Sequence, residues 1–188
     1  MAPHGPPSNE VPGSVAFDPV IASTDGYVVF CSGLQVYSTG IRMNLELRAR
    51  ENRRHERLFD AFHGEGPDQM LLGVEFADGR RGTNLGWRRG RGDATGGGVT
   101  VACGGGGGSE NAVDAEFFIA PLPPPGAVRL VCAWPSKGIA DTVTELPAVE
   151  IAEAAERVRR LWPPRQHDDE PEPEPDPPQL PAGSWFAS

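Results

Sequence analysis

The residue types in this sequence that could do chemistry fall into a few short stretches. Arg80, Arg81, Arg88, Arg89 and Arg91 crowd one region. Guanidinium groups stay charged and fork onto carboxylates and phosphates, so Arg88, Arg89 and Arg91 are candidate anion-binding residues. The competing reading is a solvated face paired with acids, the usual fate of a charge run. Gly104–Gly108 invites comparison with a phosphate-binding loop, which requires Lys-Ser/Thr after its last glycine at the start of a helix. Here Ser109-Glu110-Asn111 follows and the next stretch reads as strand, so a flexible hairpin loop is expected.

His55-Glu56 opens like the zinc-protease pattern H-E-x-x-H, but Phe59 stands at the second histidine position. His63, with Asp60 and Glu65 near it, lies on a similar helical face. A metal needs three or four convergent ligands with an organised outer shell. The stretch reads better as a polar crossover, and no metal or cofactor is expected. Of the three cysteines, Cys31 and Cys132 lie in apolar strand-like runs and read as buried free thiols. A Cys31–Cys132 disulfide stays open as an alternative. Cys103, beside the glycine run, is the one expected to be exposed, yet no histidine is assigned to it as a base. There is no G-x-S-x-G elbow, C-x-x-C pair or dinucleotide fingerprint. The protein is therefore not expected to be an enzyme, and no catalytic residue is assigned. The remaining candidates are Trp185 and Phe186, an aromatic pair that offers large buried area to a partner.

These residues hang on elements that read mainly as strands. Tyr27–Tyr37 is apolar and β-branched, with Gly33 expected at a bulge. Met43, Leu45, Leu47 and Ala49 alternate with Asn44, Glu46, Arg48 and Arg50, the period-two pattern of a strand with one buried face. Leu58, Phe59 and Phe62 fall at helical spacing. Residues 71–85 read as a hairpin in which Asp78-Gly79 suits a type I′ turn. Strands are expected over Val99–Cys103, Ala112–Ala120, Ala127–Trp134 and Ile139–Leu146. Between the second and third of these lies the elbow Pro121-Leu122-Pro123-Pro124-Pro125-Gly126, where fixed φ and missing donors must stop one strand and Gly126 turns the chain. Its P-x-x-P pattern reads as incidental to a rigid loop. An amphipathic helix follows, with Pro147 in its first turn and Ile151, Ala155, Val158 and Trp162 as one apolar stripe before Pro163-Pro164 ends it. The expected fold is an antiparallel β-sandwich of about eight strands with a C-terminal helix.

Composition sets the limits. The chain has 188 residues and a net charge of −9, from 26 acids and 17 bases. Residues 165–188 contribute six acids and one arginine, −5, leaving −4 for the rest. That balance disfavours nucleic acid as the main partner, because phosphate binding needs an excess of Lys and Arg. No apolar run approaches the ~18 residues of a membrane helix, and the start carries no secretory pattern. A cytoplasmic location is expected. Residues 1–14 and 164–188 are expected to be disordered around a single domain at 15–163, the second being a Pro/Glu spacer ending in Trp185-Phe186.

Gly73–Arg80 (GVEFADGR), the glycine run, Pro121–Gly126, Val128–Ile139 (VRLVCAWPSKGI) and Leu161-Trp162-Pro163 occur in an order that resembles an uncharacterised family of small actinobacterial β-proteins. The resemblance covers most of residues 15–163. It implies a compact, mostly antiparallel β-domain and brings no activity with it. The expected function is that of a non-enzymatic interaction module tethered to an unknown protein partner through Gln179–Ser188. The alternative is a small-ligand or anion-binding domain with its site in the Arg/Gly-rich loops.

Overall fold

The computed structural model describes residues 5–51, 58–63, 68–85 and 98–163. The fold is mainly β, and every strand pairing in it is antiparallel. Strand β1 is Glu10–Val11, β2 Gly13–Val15, β3 Val20–Ser23, β4 Tyr27–Tyr37 and β5 Gly40–Ala49. A short helix α1, Phe59–His63, precedes β6, Leu71–Phe76, and β7, Arg81–Thr83. Then come β8, Thr100–Gly108, β9, Ala112–Ala120, β10, Val128–Trp134, and β11, Ile139–Leu146. Helix α2, Ala148–Glu156, and strand β12, Arg159–Arg160, complete the described chain.

One sheet has the order β2-β4-β5-β9-β8, with β3 also on β4; a second has the order β11-β10-β6-β7. The alternation in β5 does what its period requires. Met43, Leu45 and Leu47 are fully buried, and they lie opposite Phe117, Ala115 and Val113 of β9. The inward residues of both sheets form one cluster, to which Tyr27, Phe62, Phe117 and Trp134 contribute rings. Tyr27 and Trp134 join the two sheets with ring centroids 5.2 Å apart. The Trp134 indole N–H donates to the Asp68 carbonyl at 2.8 Å, so this large side chain is buried with its one donor satisfied.

Several connectors follow from residue type. In β4 the register shifts between Cys31 and Leu34, so Ser32 and Gly33 oppose the single residue Asn44. Gly33 has φ +125°, and the expected bulge is there. The proline elbow carries the chain from β9 in one sheet to β10 in the other. At its end Gly126 has φ +121° and lies so near the Ala77 methyl that a Cβ would approach within 2.6 Å.

The structure departs from the sequence-based expectations in five places. Asp78-Gly79 does turn the β6–β7 hairpin, but not as type I′, since no residue other than glycine has positive φ. The Phe76 N–H donates to the Arg80 carbonyl and the Gly79 N–H to that of Phe76, closing a three-residue loop with Gly79 at φ +84°. Gly104–Gly108 is strand rather than flexible loop, because pairing with β9 satisfies its backbone; a bulge sets Gly104 and Gly105 against Glu116. Cys103 is buried. The final helix ends at Glu156; Ile151 and Ala154 are buried and Trp162 is exposed, because the chain past Arg157 leaves helical geometry to pair with the N-terminal segment. Within residues 5–14, expected to lack structure, Glu10–Val11 and the start of β2 are paired strand.

Candidate functional site

The outer face of the β11-β10-β6-β7 sheet carries a groove of about 320 Å³. Its construction can be read along β6, where Leu72, Val74 and Phe76 point into the core and leave Leu71, Gly73 and Glu75 outside. On β10 the outward partners are Ala133 opposite Leu71, Val131 opposite Gly73 and Arg129 opposite Glu75. On β7, Thr83 lies opposite Gly73 and Arg81 opposite Glu75. Gly73 is therefore the middle of a three-strand row, flanked by Val131 and Thr83, and its missing side chain forms the floor. A Cβ there would meet the Thr83 methyl at 3.7 Å and Val131 Cβ at 3.8 Å, ordinary contact distances, so the space is open to a methyl group or a ligand. Leu85 and Leu71 supply further apolar wall.

One end of the groove is charged. Arg81 and Arg129 both reach Glu75, Arg81 in close contact and Arg129 at 3.3 Å. Glu145 of β11 lies opposite Arg129, so two guanidinium groups and two carboxylates share that end, and Asp141 also lines the groove. The wall is held by Asn84, which is buried. Its amide Nδ2 donates to the Met70 carbonyl and its Oδ1 accepts from the Leu72 N–H, both at 2.9 Å. The apolar bulk with a few converging polar groups is the usual make-up of a small-ligand site.

A second feature lies where the chain leaves the domain. Strand β12 pairs with β1, Glu10 opposite Arg160. The Leu161 N–H donates to the Asn9 carbonyl and Asn9 Nδ2 to the Trp162 carbonyl, each at 2.8 Å. Glu10 in turn accepts from the Ser38 N–H at 2.9 Å and its hydroxyl at 2.5 Å, and Arg157 donates to the Ser14 carbonyl at 3.1 Å. These bonds clasp the exit of residues 164–188 to the N-terminal strand.

No protein-family model, curated protein or solved structure matches the chain. The site must be read from its own residues. Arg88, Arg89 and Arg91, like Trp185 and Phe186, lie outside the described residues, and so does His55. Leu85, in the groove wall, leads the chain toward the arginine stretch. Cys31, Cys103 and Cys132 are buried, and none of them is in a disulfide. Burial pushes the Cys31 thiol pKa upward and that of Cys132 up to about 12, the opposite of what a nucleophilic thiolate needs. Among the described residues no three His, Cys, Asp or Glu side chains converge as a metal site. None of their helices is long and apolar enough to cross a membrane. The groove itself was missed at the level of sequence. Gly73 between apolar neighbours was the available signal, but only the register of β7 and β10 against β6 shows that it is a floor.

Proposed function

We propose that this protein is a non-enzymatic binding module of β-sandwich architecture, and that the groove over Gly73 holds an apolar group with a negative end. The sandwich reading is supported by two antiparallel sheets that share one core cluster. Three buried cysteines outside any disulfide accord with a reducing, cytoplasmic setting. The observation that carries the binding reading is the row Thr83–Gly73–Val131 ending at Glu75 beneath Arg81 and Arg129. The apolar slot takes hydrocarbon or aromatic surface, and Arg81, the one basic side chain among the described lining residues, orients a carboxylate. The test compares decanoate with decanol as ligands in thermal denaturation of the full chain. Decanoate raises the melting temperature by mass action and decanol does not. Gly73→Leu, which fills the floor, removes the shift. Equal shifts with the alcohol, or an undiminished shift in the Gly73→Leu protein, would refute the reading.

The clasp favours a second reading, a tether. Because β12 is fixed to β1, residues 164–188 depart from a defined point on the domain, and a spacer with an aromatic end raises the local concentration of whatever Trp185 and Phe186 bind. Fusing residues 164–188 to an unrelated carrier tests this. The carrier should retain from host lysate the proteins that the full chain retains, and Trp185→Ala with Phe186→Ala should release them. Identical retention by the chain with and without residues 164–188 would end the tether reading.

A further inference from the structure

Sheet edges expose unpaired backbone groups and are normally shielded. Three of the four edges of the two large sheets are shielded here. Strand β2 lies under α2, with Gly13 so close to the Ala154 carbonyl that no side chain fits between them, and β3, which shares that edge, lies against β10 and β11 of the other sheet. Strand β7 is three residues long, and Gly82 abuts the Val99 carbonyl in the same way. Strand β11 carries Asp141 and Glu145. The fourth edge is β8. Its first half is buried, but Gly104, Gly105, Gly106 and Gly108 are exposed. Among the described residues no strand pairs with its outer side. Five successive glycines offer an approaching chain bare backbone, with no side chain to obstruct it.

The surroundings specify what such a chain would carry. Between Val99 and Ala120 there are three acids, Glu110, Asp114 and Glu116, and no lysine or arginine. From neighbouring β5, Arg42 reaches Glu116 at 3.5 Å, a carboxylate that a cation on the added strand would share, while Asp114 has no such ion pair among the described residues. Asp114 is opposite Gly107, and Glu116 lies beside the Gly104–Gly105 bulge. A Cβ on Gly107 would lie 3.6 Å from Asp114 Oδ1, and one on Gly104 3.8 Å from Glu116 Cβ. Both carboxylate side chains thus flank glycine positions on the same face of the sheet, two residues apart. A strand added outside β8 would run roughly 10 Å from β9, two strand spacings away. An arginine or lysine on it crosses that distance over the glycines, and residues i and i+2 share a face.

We propose that the exposed half of β8 is an acceptor edge for an extended segment with Arg or Lys at alternate positions. Backbone hydrogen bonds to Gly104–Gly108 supply the docking, as in other strand-addition complexes, and Asp114 and Glu116 select the charge pattern. This surface is separate from the Gly73 groove and does not depend on it. Another copy of the chain is a poor occupant, since its net charge of −9 repels and its glycine strand brings no cations.

The test is fluorescence anisotropy of the full chain with a labelled octapeptide of alternating Arg and Val. Controls are the Glu/Val counterpart and an Arg/Val peptide N-methylated at alternate residues. The Arg/Val peptide binds, more weakly at high salt; the Glu/Val peptide does not, and N-methylation weakens binding about tenfold or more through lost backbone bonds. Asp114→Asn with Glu116→Gln weakens binding by a similar factor of about ten while leaving the acids of residues 164–188 in place. Unchanged affinity in that double variant would put the peptide elsewhere on the chain and overturn the proposal. So would equal binding of the N-methylated peptide, which is adsorption by charge alone, or no binding of the Arg/Val peptide at all.

Discussion

Asn84 offers the sharpest test of how the groove is held. Replacing it with alanine removes two hydrogen bonds of 2.9 Å and leaves the Met70 carbonyl and Leu72 N–H without their side-chain partner. Asn84 is only 4% exposed, so water does not readily take its place. An orphaned buried polar group costs about 1–3 kcal/mol, which puts Asn84→Ala at roughly 2–4 kcal/mol after partial relaxation. For a chain of this size a kilocalorie corresponds to about 2–4 °C, so the melting temperature should fall by about 5–15 °C. Thr83→Ala, one residue away, is the control. Its hydroxyl accepts a long bond of 3.4 Å from the Leu85 N–H, and that variant should lose under about 0.5 kcal/mol. Urea unfolding gives both values, provided the slope with denaturant is unchanged. A loss below about 1 kcal/mol for Asn84→Ala would mean that the groove wall does not depend on this clip and that the argument from buried polar satisfaction is wrong here.

Two further outcomes follow from packing and burial. Gly82→Ala should destabilise by more than about 2 kcal/mol, since its Cβ would fall 2.8 Å from the Val99 carbonyl carbon, whereas Gly105→Ala meets nothing within 4 Å and should be neutral or stabilising by about 0.5 kcal/mol; equal unfolding midpoints for the two variants would contradict this. The thiols set an alkaline limit. Burial raises the folded-state pKa of Cys31, and that of Cys132 to about 12, so their contribution is complete below the unfolded value of ~8.5 and is lost as pH rises above it. Stability should fall by up to ~1.4 kcal/mol per pH unit for each thiol in that window, and Cys132→Ala should flatten the slope. A slope that is the same in the variant would disprove the assignment.

What could be read from sequence was local. The alternation from Met43 to Leu47, the Gly33 bulge and the stop at Pro121 each depend on a residue's own conformational limits, and the structure has all three. What depends on a distant partner could not be read. Asp-Gly fits both a two-residue turn and a three-residue loop, and the Phe76–Arg80 pairing decides between them. The spacing of Val158 and Trp162 continues a helix on paper, but pairing with Glu10–Val11, some 150 positions away, ends it earlier. The same pairing is why the N-terminal residues have strand structure that their Pro/Gly-rich composition does not suggest. A run of five glycines reads as loop because ordering it costs entropy, and only β9 alongside offsets that cost.

The clasp between Asn9 and Trp162 also determines how the chain can be rearranged. With a hydrogen bond of 2.8 Å between them, the two ends of the described fold lie side by side. A short flexible linker from Pro163 back to the N-terminal strand would close the polypeptide into a ring. New ends opened at Asp78-Gly79, an exposed turn, would then give a circular permutant with every strand pairing of the large sheets preserved.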